Sequence, residues 1–261
     1  MNSAENYKLV RQFPAALKLY DRVLDIAPTN PDVMWARAGI CQAQGNLQEA
    51  AKLLSEINWQ SPDQAFYTKV YQLKYERNYR EAIRLLQARL AQFHYASPDN
   101  QATDQVGLAR MQRLAGDSAG AKLTAAQGRK TLEPLYSDQS RAPRARAELA
   151  LDLSQAYAAM GEKDSALDLA ERAIMLLSRA QDPVIGPRYE ENLAVIQTIF
   201  GENSRAIPSL ARLLQTPYAS ENYGPTGITP AFLSLDPLWD PLRGDPAFQK
   251  LCEEKQPPAT P

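Results

Sequence analysis

Between residues 58 and 98 the chain carries two apolar stripes with one polar interruption. Phe66, Val70 and Leu73 recur at intervals of three and four, Arg77-Asn78-Tyr79 breaks the run, and Ala82, Leu85, Leu86 and Leu90 resume it. That period is one face of an α-helix, so the segment predicts two helices joined by a tight turn. The small residue early in the second stripe has a steric reason: where two helices cross closely, a side chain larger than Ala pushes them apart.

The plan recurs, with Ala16, Ala50, Ala82, Ala121, Ala166 and Ala206 each shortly after a break. Their spacings of 34, 32, 39, 45 and 40 residues suit paired-helix repeats. Gly45-Asn46, Gly116-Asp117, Gly161-Glu162 and Gly201-Glu202 make four of the breaks, Gly supplying the left-handed backbone that ends a first helix. In the third unit Arg77 replaces Gly, and Asn78 is expected to take the strained angle. Pro28, Pro62, Pro98 and Pro217 mark the exits, because proline cannot continue a helix interior. The wider late spacings predict helices a turn or two longer than in repeats one to three. Since each repeat contacts only its neighbours, the stack reads as one elongated domain.

Composition narrows the function. With 29 basic and 30 acidic residues and a formal charge of -1, no global field gathers nucleic acid or an anionic membrane. The start has no apolar signal core and no stretch approaches a membrane span, so a soluble, cytoplasmic chain without a membrane partner is expected. Cys41 and Cys252 lie far apart and read as reduced, structural thiols.

These residues resemble the tetratricopeptide repeat family: Tyr7, Ala16, Tyr20 and Pro28 fit a first repeat, and Gly45, Ala50, Leu54 and Pro62 a second. The resemblance implies an all-α, right-handed superhelical solenoid of about six antiparallel helix pairs over residues 1–216. It also implies a non-enzymatic scaffold binding a protein or peptide segment in a concave groove. Positions that line that groove in the family fall on Trp35 in the second repeat, on Gln64, Tyr67, Tyr71, Lys74 and Tyr75 in the third, and on Arg110 and Arg113 in the fourth. Tyr67, Tyr71 and Tyr75 form one ridge at i, i+4, i+8. Tyr, Trp and Arg are the residues enriched in interface hot spots. Packing of the tyrosines against neighbouring repeats is the other reading of the same ridge. The Lys/Asn clamp of chaperone-binding members is not reproduced, so the implied ligand is a segment with apolar or aromatic side chains and some negative charge.

The chain begins partway through a first repeat, which predicts a piece of a longer protein. Residues 217–255 read as a loop and short capping helices, and 256–261 as a disordered tail. Asp236-Pro237, Asp240-Pro241 and Asp245-Pro246 each place an N-cap before a first-turn proline. Leu238, Trp239, Leu242, Phe248 and Leu251 are expected to cover the exposed face of the last repeat. This ending resembles that of bacterial multidomain regulators in which a serine/threonine kinase or winged-helix domain precedes tetratricopeptide repeats.

Chemistry finds little purchase. His94 is the only histidine and reads as a capping residue; the carboxylates sit beside basic residues on helical faces; the glycines occur singly. No metal site, cofactor or catalytic residue is predicted. The basic run from Arg141 to Arg146, with Arg129 and Lys130 before it, reads as a solvated helix start because no aromatics interleave it. Two alternatives stand beside the scaffold: a self-association module that oligomerises an attached effector, and a sensor or enzyme whose pocket is closed by residues 217–230, Tyr218 and Tyr223 included.

Overall fold

The computed structural model describes residues 3–57 and 63–254, so Pro62 and the 256–261 tail lie outside the described residues. The fold is all-α. Twelve helices follow the pairing expected from the breaks: α1 (Ser3–Leu9) and α2 (Phe13–Leu24), α3 (Pro31–Ala43) and α4 (Leu47–Ser55), α5 (Asp63–Tyr75) and α6 (Tyr79–Gln92), α7 (Pro98–Leu114) and α8 (Ser118–Ser137), α9 (Pro143–Met160) and α10 (Lys163–Leu176), α11 (Gly186–Ile199) and α12 (Asn203–Leu214). Three short helices follow: α13 (Pro230–Leu235), a 3-10 helix (Pro237–Leu242) and α14 (Pro246–Glu253). The expected lengthening is confined to α7, α8 and α9, with 17, 20 and 18 residues; α10, α11 and α12, with 14, 14 and 12, are no longer than α6 with 14.

The chain divides into two compact units. The first comprises Met1–Arg77 together with Leu210–Pro261, and the second Asn78–Ser209. In the first, α3 packs on α2, α4 and α5, and α13 lies against α3 and α14. In the second, α7 to α11 stack in chain order, with α9 touching both α7 and α11.

Every break is built alike. Gly45, Gly116, Gly161 and Gly201 have φ of 83°, 84°, 85° and 75°. The following amide reaches back to close the helix, as in Asn46 N–H to the Cys41 carbonyl at 2.8 Å and Glu162 N–H to that of Tyr157 at 2.9 Å. Asn46, Asn78 and Asp117 then cap the next helix by accepting from its third amide. One expectation fails here. Arg77 takes the left-handed angle itself, at φ 58°, and Asn78 is an ordinary N-cap. Arg11, closing α1, does the same at φ 56°.

The six recurring alanines are all at 0% exposure, as the crossing argument requires. Between first helices, buried amides set the register: Gln42 donates to Gln72 at 3.0 Å in the first unit, and Gln155 to Asn192 at 3.0 Å in the second, where Asn192 also donates to Ser154 at 2.8 Å. Ala121→Leu should lower stability by about 1–3 kcal/mol, the usual cost of overpacking a tight contact, read as a lower urea midpoint.

Candidate protein-docking face

Of the residues singled out on α5, Gln64 is exposed, whereas Tyr67 and Tyr71 are half-buried and Lys74 and Tyr75 buried. Lys74 is at 0% exposure, with its ammonium 2.6 Å from an Asp236 carboxylate oxygen that is equally buried. Three tyrosine rings enclose that ammonium, with centroids at 5.1 Å for Tyr71, 4.9 Å for Tyr75 and 5.5 Å for Tyr223, close enough for cation–π attraction. The Tyr71 hydroxyl donates to the Glu221 carbonyl at 3.0 Å, and the buried Tyr75 ring lies 5.5 Å from that of Phe232. Tyr67 is half-buried, set edge-on against Phe66 at 5.4 Å. Trp35, also half-buried, carries the Lys8 ammonium 5.2 Å above its ring and donates to Asp32. Glu221, Tyr223, Phe232 and Asp236, which meet Tyr71, Lys74 and Tyr75, come from the chain's own C-terminal segment.

That segment seats itself with few elements of regular structure. Thr229 caps α13 and donates its hydroxyl to the Ala43 carbonyl at 2.8 Å, where α3 ends. Phe232 stacks on Tyr223 at 4.3 Å. The Tyr223 hydroxyl donates to Asp236 at 2.9 Å and accepts from the indole of Trp239 at 2.8 Å. Asp236 thus accepts from Lys74 and Tyr223 with one oxygen and from the Leu238 amide with the other. Gly227, at φ 65°, lies so near Tyr218 that an added Cβ would come within 2.9 Å of the ring.

Three corrections follow for this segment. Leu238, Trp239, Leu242, Phe248 and Leu251 are buried as expected, but inside the first unit, where α13 packs on α3 and Asp236 and Asp240 meet α5 and its closing residue. Asp236 and Asp245 cap helices, whereas Asp240 sits within the 3-10 helix and binds Arg77 and Arg243. Tyr218 and Tyr223, placed at the mouth of a pocket in the sensor reading, are buried at 0% and 6% exposure with their hydroxyls engaged.

The residues that sequence reasoning missed are the two left-handed arginines. Arg77 grips Asp240 with both terminal nitrogens, at 2.5 and 2.9 Å. Buried Arg11 donates to the carbonyls of Leu213 at 3.2 Å and Thr216 at 3.0 Å. Each stands where other repeats carry Gly, and each holds the C-terminal part of its unit. Arginine at a glycine position was the available signal.

In the second unit Arg110 and Arg113 lie one turn apart on α7, both half-buried. Burial and then the Arg110 charge hold the Arg113 guanidinium down to about 10. A cleft of about 420 Å³ between α8, α9 and α10 is lined by Tyr136, Tyr157, Glu133, Asp168 and Arg172 among others. Its polar groups satisfy one another: Tyr157 donates to Glu133 and Arg172 pairs with Asp168 at 2.8 Å. Burial, then Glu133, raise the Tyr157 phenol above its ordinary value. The connection holding the basic run is short, since α8 extends to Ser137 and α9 begins at Pro143. Aromatics do reach that region: Arg146 stacks over Tyr136 at 5.5 Å and Arg129 over Tyr157 at 5.6 Å. Solvent-exposed His94 lies just past the end of α6. Both cysteines are free thiols, and among the described residues no group of three or more His, Cys, Asp or Glu could hold a metal ion. No helix among those residues is long and apolar enough to cross a membrane.

Residues 10–71 match the sequence profile of the tetratricopeptide repeat. No curated protein sequence matches the chain. Among solved structures, similarity is found to BtubC (BKLC) from P. vanneervenii, with 19% identity and a TM-score of 0.45, covering 78% of this chain and 89% of that one. PilW, described as a widely conserved type IV pilus biogenesis factor, gives 16% identity and a TM-score of 0.42, covering 82% and 93%.

Proposed function

We propose that this chain is a non-enzymatic scaffold whose first-helix faces dock protein segments, and that it serves as the docking or sensory part of a larger bacterial signalling or transcription regulator. One observation carries the first half: the face built from α3 and α5 holds a largely irregular stretch of polypeptide by aromatic rings, a lysine and main-chain contacts. The occupant, rich in Tyr, Phe, Trp and Asp, has the apolar, partly acidic chemistry expected of a partner. Trp35, Tyr67, Tyr71, Lys74 and Tyr75 are the contact residues proposed in the first unit. Arg110 and Arg113, two neighbouring guanidiniums with one desolvated, are proposed to take an acidic group in the second. The regulator context rests on the resemblance of the C-terminal ending.

Affinity capture with the full chain tests the docking role. Tyr71→Ala with Arg110→Ala should weaken capture of a given partner at least about tenfold, a loss of some 1.4 kcal/mol, with helicity unchanged. Unimpaired capture sinks the reading. Light scattering over a dilution series separates self-association, which predicts a mass that rises with concentration.

A further inference from the structure

We infer that residues 217–243 act as a built-in ligand of the α3–α5 face, one that a foreign segment must displace by presenting its own carboxylate to Lys74. This rests on the reading that the α3–α5 face is a docking face.

Three observations converge. The first is the mode of recognition. Asp236 meets Lys74 beside Tyr71 and Tyr75 of α5, and the segment's own Tyr223 closes the cage while binding Asp236 and Trp239. A fully buried ion pair adds little net stability, because desolvation of both charges offsets their attraction; its attested use is to fix register. Lys74 therefore selects where the segment sits more than how tightly it holds.

The second is the pair of arginines. A left-handed non-glycine residue is strained, and four other breaks avoid that strain with Gly. At Arg11 and Arg77 the strain is accepted: Arg77 binds Asp240 with both terminal nitrogens, and Arg11 uses one terminal nitrogen to bind the carbonyls of Leu213 and Thr216. Arg77 accepts a strained backbone and clamps the segment at Asp240, while Arg11 fixes the chain just before the segment begins. The third is local construction. Residues 217–229 carry one isolated bridge, Ser220 to Gly224, and no helix, so they separate from the face without unwinding a regular element.

The probe is a fluorescent synthetic peptide spanning residues 217–254, offered to the full chain. In the wild-type protein the tethered copy wins, at an effective concentration on the order of millimolar, so uptake is weak. Arg77→Gly removes the clamp while giving the break its favoured residue, and should raise peptide affinity at least tenfold with helicity retained. A peptide carrying Asp236→Asn should lose that gain. Asp236→Asn in the full chain should act as Arg77→Gly does. Should that variant fail to fold, Arg77→Gly and hydrogen exchange in the wild type remain decisive: the amides of Leu233, Asp236 and Trp239 are expected to exchange at least tenfold faster than those inside α5. Equal protection of the two sets, or a folded Arg77→Gly chain that takes up no peptide, overturns the proposal. Because the probe is the chain's own segment, it reads release directly. A failure to find any foreign partner strikes the docking role and leaves this result standing.

Discussion

Asp236→Ala should lower the stability of the first unit by about 3–5 kcal/mol, a large share of what a domain has. The cost lies in what is left behind. Lys74 is withdrawn from water among Tyr71, Tyr75 and Tyr223, and truncation of Asp236 removes the carboxylate 2.6 Å from its ammonium. The Tyr223 hydroxyl and the Leu238 amide lose an acceptor as well. Replacing both charges, as Lys74→Met with Asp236→Leu, should recover most of the loss, since a buried pair of apolar residues avoids the desolvation altogether. Urea unfolding followed by tryptophan fluorescence measures this, Trp239 being fully buried beside the pair. A single-mutant effect under about 1 kcal/mol would mean that the ammonium reaches water, and that the burial of Lys74 is wrongly understood.

Leu132→Ala should cost the second unit about 4 kcal/mol, near the upper end for a buried leucine. The core there is dominated by Ala102, Ala109, Ala125, Ala147, Ala150, Ala156 and Ala173, with Leu132, Leu151, Leu153 and Tyr189 as its large, nearly inaccessible side chains. Alanines set at helix crossings have no rotamer with which to fill a void, so the cavity stays open and its full penalty is felt. Far-UV circular dichroism in urea reports the loss. Trp35 and Trp239 belong to the first unit, so their fluorescence identifies which unit responds. A shift below about 1.5 kcal/mol would show that the surrounding helices close the gap.

The architecture was legible because it rests on local steric rules. A crossing that admits nothing larger than Ala, a break that favours Gly, and a cap that wants Asn or Asp each leave a mark in the sequence, and Ala50, Gly45 and Asn46 all stand where those rules put them. The long-range pairings were not legible. Lys74 and Asp236 are 162 residues apart, and neither the tyrosine ridge nor the run of Asp-Pro dipeptides says that one will be filled by the other. The tyrosine ridge is compatible with packing and with partner contact alike, and what it meets depends on a fact outside the repeat pattern: the return of the chain to its own first repeats. Arg77 departs from expectation for a related reason. Conformational preference alone assigns the strained angle to Asn78, whereas a bidentate bond to Asp240 makes it tolerable for arginine.

The same return shapes how the protein is made. The second unit is one uninterrupted run of chain, rich in contacts between neighbours in sequence, and can assemble as soon as it leaves the ribosome. The first unit cannot. Its α3 and α5 are synthesised early, with Lys74 and the tyrosines of α5 uncovered until Asp236 and Trp239 emerge. For that interval the nascent chain presents an apolar, cationic surface that its finished form hides, and the first unit is completed only after the second has been translated.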